Sequence, residues 1–407
     1  MRVVVIADFP QASGGAQSVA IQSAAALAAR GVPVTYIHAI GGVSDRRLDT
    51  PGVEVVGLDQ ADIWNRPAVR QLGAGIWNHD AARRLRALLG RLPPGPKILH
   101  LHQWTRSLSP AVFPVLLRSG SPVVVTLHDY FIACPNGVYY RFERDEPCAV
   151  RPLSLACLLA PCDPRSMAHK GVRVLRAAVT RAALAGHSFD VVHVSDRAQA
   201  TLAPFMPPQI REHRIDNPVE ASQSAPAEIA EGAKLAFIGR LTREKGADIV
   251  AQAAALAGSP VMFIGEGPAE AAIRKANPGA EILGWRNRAE IERLLRGEVR
   301  AVVAPSRWYE TGPLTVYEAL AAGVPAVVSD RAGAAEKVIS GETGFVVEPQ
   351  VQALASAFGR LGDTDLARRM GSAAHRRYWA APLSPERHAQ ALIALYEALL
   401  GRGSKPA

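Results

Sequence analysis

In the stretch RWYETGPLTVYEALAAGVP, residues 307–325, Glu310 and Glu318 stand eight positions apart, and Thr311, Gly312 and Pro313 follow directly after the first. Glycine and proline interrupt regular structure, yet LTVYEALAAG reads as a helix that begins at Pro313 and stops at Gly323. The interruption therefore marks a helix start. The leading N–H groups of such a helix lack partners within it, and with the helix dipole they attract an anion. Gly312 lets a phosphate or a sugar come close to the backbone. Two carboxylates would repel that anion, so they suit hydroxyls instead: Glu318 those of a ribose, Glu310 those of a sugar carried on a diphosphate. The alternative is a pair of solvated surface charges.

Other residues could join this chemistry. In IGRLTREKG, Arg240 and Lys245 follow an apolar run and lie beside glycines. Two cations so placed can neutralise a diphosphate and stabilise the charge it gains on leaving, or they can be ordinary loop charges. DFPQASGGAQSVA sets Gly14 and Gly15 between a strand and a helix, without the GxGxxG spacing of dinucleotide sites. A tight turn explains that pair nearly as well as a phosphate loop. VVVTLHDYFIACPNG ends a strand with His128 and Asp129, which cannot both be satisfied in an apolar core without partners. His128 could bond a sugar hydroxyl or assist proton movement. His100 and His102, alternating in ILHLHQW, are expected to be satisfied strand histidines. Asp363 and Asp365 have a divalent-ion spacing but occupy the polar turn LGDTDLARR, which reads as a helix cap.

These groups need elements to hold them. VVVIA, VTYIHAI, ILHLH, PVVVTLH and VVHVS recur in the first half, each followed by a turn and a helical pattern; KLAFIGR, PVMFIGEG, AEILGW, RAVVAPS, PAVVSD and GFVVEP repeat the scheme in the second. Strands alternating with helices predict parallel sheets covered on both faces. The expected fold class is α/β, with two doubly wound, Rossmann-like domains facing each other across a cleft. A Ser/Ala/Pro-rich join between Arg214 and Lys234 divides the chain into 1–219, 220–383 and a C-terminal helix and tail at 384–407 that could cross back to the first domain. Ligands in such sheets bind beyond the carboxyl ends of the strands, which is where the residues above fall.

The matches Ile238–Gly246, Phe263–Pro268, Ile282–Trp285, Pro305–Asp330 and Gly333–Pro349 occur in the order found in the family 4 retaining glycosyltransferases, and the chain resembles that family densely from Lys234 to Pro349 and sparsely before. The resemblance implies the GT-B fold and a UDP- or GDP-sugar donor, with a glycan or lipid-linked glycan as acceptor. It implies donor contacts at Gly14, Gly15, Arg240, Lys245, Leu283, Gly284, Thr311, Gly312, Pro313, Leu314 and Glu318, with the base near Leu283 and Gly284. His128 and Glu310 are the implied residues at the reaction centre. No cofactor is required for transfer in the resemblance, and no metal. A nucleotide-sugar epimerase of the same architecture, or an inactive nucleotide-sugar-binding protein, are the competing readings.

The chain carries a formal charge of +9 over 407 residues, and most of the excess lies before residue 220. Aromatics do not interleave with those cations as nucleic-acid binding requires, so nucleic acid is not an expected partner. The N-terminus reads as a first strand and not as a signal peptide, and no apolar run is long enough to span a bilayer. A cytoplasmic location is expected. RSMAHKGVRVLRAAVTRAALAGH places Lys170, Arg173, Arg176 and Arg181 on a helix that could lie on anionic membrane at its inner face, or simply present a solvated basic face. Cys134, Cys148, Cys157 and Cys162 crowd into 29 residues. Four thiolates could hold a structural zinc, although their spacing lacks the paired CxxC knuckle; reduced thiols and, in the cytoplasm less readily, disulfides are the alternatives.

Overall fold

Valine-rich β1 (Arg2–Ala7) shows how the chain divides its layers. Val4 and Ile6 join one apolar cluster while Val3, Val5 and Ala7 join another on the opposite face, all of them fully buried. Side chains alternate across a strand, so a strand apolar at every position must be covered on both sides. The computed structural model describes residues 1–65 and 67–403.

The first sheet also contains β2 (Val34–Ile40), β3 (Val53–Gln60), β4 (Lys97–Leu101) and β5 (Val123–Leu127). A short antiparallel pair, β6 (Tyr140–Arg141) and β7 (Glu146–Pro147), stands apart, and β8 (Asp190–His193) and β9 (Arg211–Arg214) complete the sheet in the order β3-β2-β1-β4-β5-β8-β9, all parallel. The second sheet, order β12-β11-β10-β13-β14-β15, is formed by β10 (Lys234–Ile238), β11 (Val261–Ile264), β12 (Glu281–Gly284), β13 (Val299–Ala304), β14 (Ala326–Ser329) and β15 (Gly344–Val347). It too is parallel throughout. In each sheet the strand order reverses beside the first strand, at β1/β4 and at β10/β13, which opens a crevice at those carboxyl ends.

Eight helices matter below: α1 (Gly15–Ala29), α2 (Ala68–Ile76), α3 (Leu155–Leu159), α4 (Met167–Leu184), α5 (Ala247–Leu256), α6 (Arg288–Gly297), α7 (Leu314–Ala322) and α8 (Pro385–Gly403). The last of them returns from the second sheet to the first: Leu392, Tyr396 and Leu399 pack with Val3, Val5 and the α1 residues Ile21 and Leu27. His388 on α8 bonds Ser23 of α1 at 2.8 Å and the carbonyl of Asp216 at 2.8 Å, tying the helix to the connection between the sheets.

The strands expected from apolar runs all form; beyond them the pair β6–β7 forms, and β3 and β9 join the first sheet. Both are sheet edges. β9 reads REHR and buries no apolar side chain; its side chains bond across the strands, Arg211 and His213 to Asp190 at 2.7 Å each and Glu212 to His193 at 2.6 Å. An edge strand has only one neighbour and does not need the apolar pattern that makes a central strand legible. Asp363 caps its helix, accepting from the N–H groups of Asp365 and Leu366 at 2.9 and 3.1 Å.

Candidate active site

Contacts between the two domains bring some of the expected residues together. After β13 the chain runs through Ser306 and Arg307 to Glu310 and enters α7, whose N-cap is Pro313 and which makes no side-chain cap, so its first N–H groups remain available to a ligand. Gly323 ends the helix in the left-handed conformation. Across the cleft Gly15 begins α1, and a Cβ built on it would lie 3.9 Å from the Leu314 side chain. The Thr311 hydroxyl donates to the carbonyl of His128 at 2.9 Å. Thus Gly14 and Gly15, His128, and the Thr311–Leu314 helix start, distant in sequence, meet at one place.

Glu310 is nearly buried and doubly engaged: the Lys245 ammonium and the Ser306 hydroxyl each donate to one of its oxygens. Lys245 also lies 5.8 Å from the Trp308 ring centroid. Lys245 is thus no solvated loop charge; it neutralises the carboxylate. Arg240, earlier in the same loop, is exposed. That loop is seated firmly. Gly246 closes it at φ +80°, a Cβ there would come within 2.6 Å of the Pro305 carbonyl oxygen, the Arg307 N–H donates to the Glu244 carbonyl at 2.9 Å, and Arg307 clamps Asp248 at 2.7 and 2.8 Å. Gly246→Ala should therefore lower the unfolding midpoint by about 1–3 kcal/mol equivalent, from left-handed strain plus the contact with Pro305. Thermal unfolding checks this; an unchanged midpoint would show the loop to be loosely held.

Glu318 stands on α7 at the wall of a cavity of about 420 Å³ whose lining includes Ser18 and Arg47 from the first domain, Glu220 from the connection and Arg288 from α6. Burial holds its carboxyl above the ordinary glutamate range, opposed by the Arg288 charge. Glu220 bridges the lobes by pairing with Arg47 at 3.3 Å and with Arg288. Leu283 and Gly284 end β12 at the carboxyl edge of the second sheet, where Gly284 adopts φ +71° and its carbonyl accepts from Gly265 at 2.8 Å. Trp285, next in the chain, is exposed.

On the opposite wall, His128 Nε2 lies 3.0 Å from His102 Nδ1, and the rings stack at 5.3 Å. His100 lies beneath, 4.2 Å from the His102 ring, bonded to Tyr396 at 2.6 Å and to Thr126 at 2.7 Å. His100 is the satisfied strand histidine expected. His102 differs: its Nε2 is buried without a partner. Burial, with a smaller contribution from His388, pulls the His128 imidazole down to about 3, so at neutral pH it is an uncharged hydrogen-bonding group. Asp129 beside it is pushed up to about 6 by burial, opposed by the Phe131 N–H and by Arg176.

Several residues near this site are not among those singled out from the sequence. Ser306 holds Glu310, and Asn217 and Tyr317 flank Gly312, where a Cβ would lie 3.2 and 3.3 Å from their polar atoms. Asn217 Oδ1, Tyr317 OH, Thr242 Oγ1 and Trp308 Nε1 are buried polar atoms without partners. Such orphans are few in folded proteins and point to an absent ligand or water. Ser306, Trp308, Tyr317 and Thr242 fall within the matched stretches and Asn217 outside them, but no local pattern marks the contacts each makes, and only the fold reveals those.

Among the described residues no three His, Cys, Asp or Glu side chains are grouped to hold a metal ion, and Cys134, Cys148, Cys157 and Cys162 are free thiols. Their partners differ: the Cys162 sulfur accepts from the Lys170 ammonium at 2.9 Å, and the Cys134 thiol donates to Asn136 at 3.1 Å while burial pushes it up to about 12. One expectation is corrected, the basic face of α4. Lys170 is buried on the carbonyls of Cys157 and Ala160 at 2.8 Å each, Arg173 pairs with Asp163 at 3.2 Å, and Arg176 donates to the Thr105 carbonyl at 3.1 Å. Only Arg181 of the four is exposed, because the others satisfy the loops that α4 covers.

Two family models match the chain: Glycosyl transferases group 1 over residues 220–377 and Glycosyl transferase 4-like domain over residues 14–145. A 150-residue stretch is 37% identical to an exopolysaccharide phosphotransferase of Streptomyces coelicolor, covering 33% of this chain and 16% of that protein. A 158-residue stretch is 34% identical to the glycogen synthase of Mycobacterium tuberculosis, covering 36% of this chain and 38% of that protein. The matched stretches thus span well under half the length of both relatives. Among solved structures, the sucrose-phosphate synthase of Thermosynechococcus elongatus superposes with a TM-score of 0.72 at 18% identity, over 99% of this chain and 100% of the other. The Anabaena protein HepE in complex with UDP superposes at 0.66 and 17% identity, over 98% and 100%.

Proposed function

Since the chain belongs to the family 4 glycosyltransferases of the GT-B fold, we propose that it moves a hexosyl group, with retention at the anomeric carbon, from a UDP- or GDP-sugar to a hydroxyl of a glycan or lipid-linked glycan. The observation that carries this reading is the Lys245–Glu310–Ser306 cluster beside an uncapped helix start, closed from across the cleft by Gly15 and by the His128–Thr311 bond. HepE has been solved with UDP and with UDP-glucose, which favours a uridine nucleotide as the first donor to try.

In this reading the amides of α7 and the cations Arg240 and Lys245 take the diphosphate and stabilise the charge that grows on it as the glycosidic bond breaks. Lys245 leaves Glu310 for the phosphate, and Glu310, freed of its counter-ion, accepts from hydroxyls of the transferred sugar. Glu318 accepts from the ribose hydroxyls, and the base lies by Leu283 and Gly284. Uncharged His128 bonds a sugar oxygen from the opposite wall. The departing diphosphate guides the acceptor hydroxyl to the face it leaves, so no protein nucleophile is invoked, and charge compensation by side chains makes transfer independent of a divalent ion.

Incubating the protein with a panel of UDP- and GDP-sugars and candidate glycan acceptors tests this. Selective binding of one donor and transfer that survives chelation of divalent ions are expected. Failure of every UDP and GDP donor to bind would overturn the donor assignment, and release of an epimerised sugar nucleotide without acceptor product would favour an epimerase.

A further inference from the structure

Half of the exposed large apolar side chains among the described residues fall within one short stretch, from Leu155 to Leu175. In α3, Leu155 is 72% exposed and Leu159 69%, with Leu158 between them also in solvent. The helix is oriented by polar bonds on its inner side: Ser154 caps it, Cys157 is buried, and the Cys157 carbonyl accepts from Lys170. Those bonds fix the leucines outward, where they stand in solvent among the described residues. Met167 and Leu175 on the adjoining α4 extend the surface. An aromatic arrives from a different element: Trp64, 38% exposed, stacks on His169 at 5.9 Å and lies under Arg165 at 4.0 Å.

The charge on this surface has one sign. Between Pro147 and Phe189 the sequence holds a single acidic residue, Asp163. Its side chain is fully buried, bonded to His169 at 2.9 Å and paired with the Arg173 guanidinium at 3.2 Å. Arg151, Arg165 and Arg181 are exposed. Clustered leucines and a tryptophan, with exposed arginines and no exposed carboxylate between residues 147 and 189, match an anionic lipid surface, which offers hydrocarbon below a layer of negative charge. A protein partner would have to supply a matching acidic rim at fixed positions. Among the described residues no helix is long and apolar enough to cross a membrane, so the contact in question is interfacial.

We propose that α3, the exposed edge of α4 and Trp64 form a docking surface for anionic membrane. The patch adjoins the cleft, because Arg106 lies over both Trp64 at 5.9 Å and Phe9 at 5.3 Å, and Phe9 leads from β1 into the Gly14–Gly15 loop. Docking there brings the first-domain wall of the cleft to the lipid headgroups, which selects a lipid-linked acceptor over a free glycan. That last step rests on the transferase reading; the docking itself does not.

Co-sedimentation with vesicles of phosphatidylglycerol and phosphatidylcholine, against vesicles of phosphatidylcholine alone, tests the docking without any turnover. The full chain should bind the anionic vesicles preferentially and lose binding as salt is raised. Replacing Leu155, Leu158 and Leu159 together by serine should weaken binding by about a hundredfold, and R151E with R181E by about tenfold or more, with unfolding midpoints and donor binding unchanged. Unaltered vesicle binding in both variants would overturn the proposal. So would a wild-type dimer that the leucine variant turns into a monomer while neither binds vesicles, since a second copy would then be the occupant. Failure of donor binding in the wild type would defeat the transferase reading and leave the docking result standing.

Discussion

Lys245→Met is expected to reduce kcat/KM by about 100- to 1000-fold, the usual consequence of removing one group that stabilises charge developing in a transition state. The same substitution should also destabilise the fold. The Glu310 side chain is 7% exposed, and without the ammonium its carboxylate keeps only the Ser306 hydroxyl as a partner for its charge. An uncompensated, nearly buried carboxylate costs about 1–3 kcal/mol once solvent screening at the partly exposed lysine is allowed for. Adding Glu310→Gln removes that charge and should restore most of the lost stability while activity stays low, because the sugar-hydroxyl acceptor is weakened as well. Unfolding midpoints and donor kinetics on the two single variants and the double separate the two roles. Full activity in Lys245→Met would remove this residue from the reaction. Stability that falls further in the double variant would show that the pair does not act through charge compensation.

Glu318→Gln is expected to raise the donor KM by about 10- to 100-fold with a smaller change in kcat, since a ribose contact is made in ground and transition states alike. Its pH dependence is more diagnostic. Burial raises the Glu318 carboxyl above its ordinary range, so the proton is retained to a higher pH than on an exposed glutamate. Only the carboxylate can accept from two neighbouring hydroxyls. Donor affinity should therefore fall as pH drops through the raised value, at a pH where an exposed glutamate would remain ionised. The glutamine variant should lack that step. His128, neutral well above about 3, contributes no step of its own in the physiological range. A donor KM with the same acid limb in wild type and variant would count against Glu318 as the ribose acceptor.

The fate of the histidines shows how far sequence reading reaches. His100 lies in β4 and His102 one residue past its end, their rings 4.2 Å apart, and nothing in ILHLHQW tells them apart. The fold does: Tyr396, brought back by the last helix, satisfies His100, whereas His102 is left to bond His128 at the cleft. The membrane surface follows the same pattern. Read along α4, the cations suggest a basic face without an aromatic anchor, yet three of those cations turn inward, and the anchor, Trp64, lies more than a hundred residues earlier in the sequence.

By itself the sequence determined the two parallel sheets, because central strands buried on both faces must be apolar at every position and the turns between them must be glycine-rich or polar. It also determined the helix start after Glu310, since Gly-Pro ahead of LTVYEALAAG leaves few other conformations. Only the tertiary structure decided which charges are free and which are spent on one another: Lys245 on Glu310, Glu220 between Arg47 and Arg288, Lys170 on Cys162 and two carbonyls. Such pairings depend on distances of a few ångströms between segments far apart in the chain, and no local pattern encodes them.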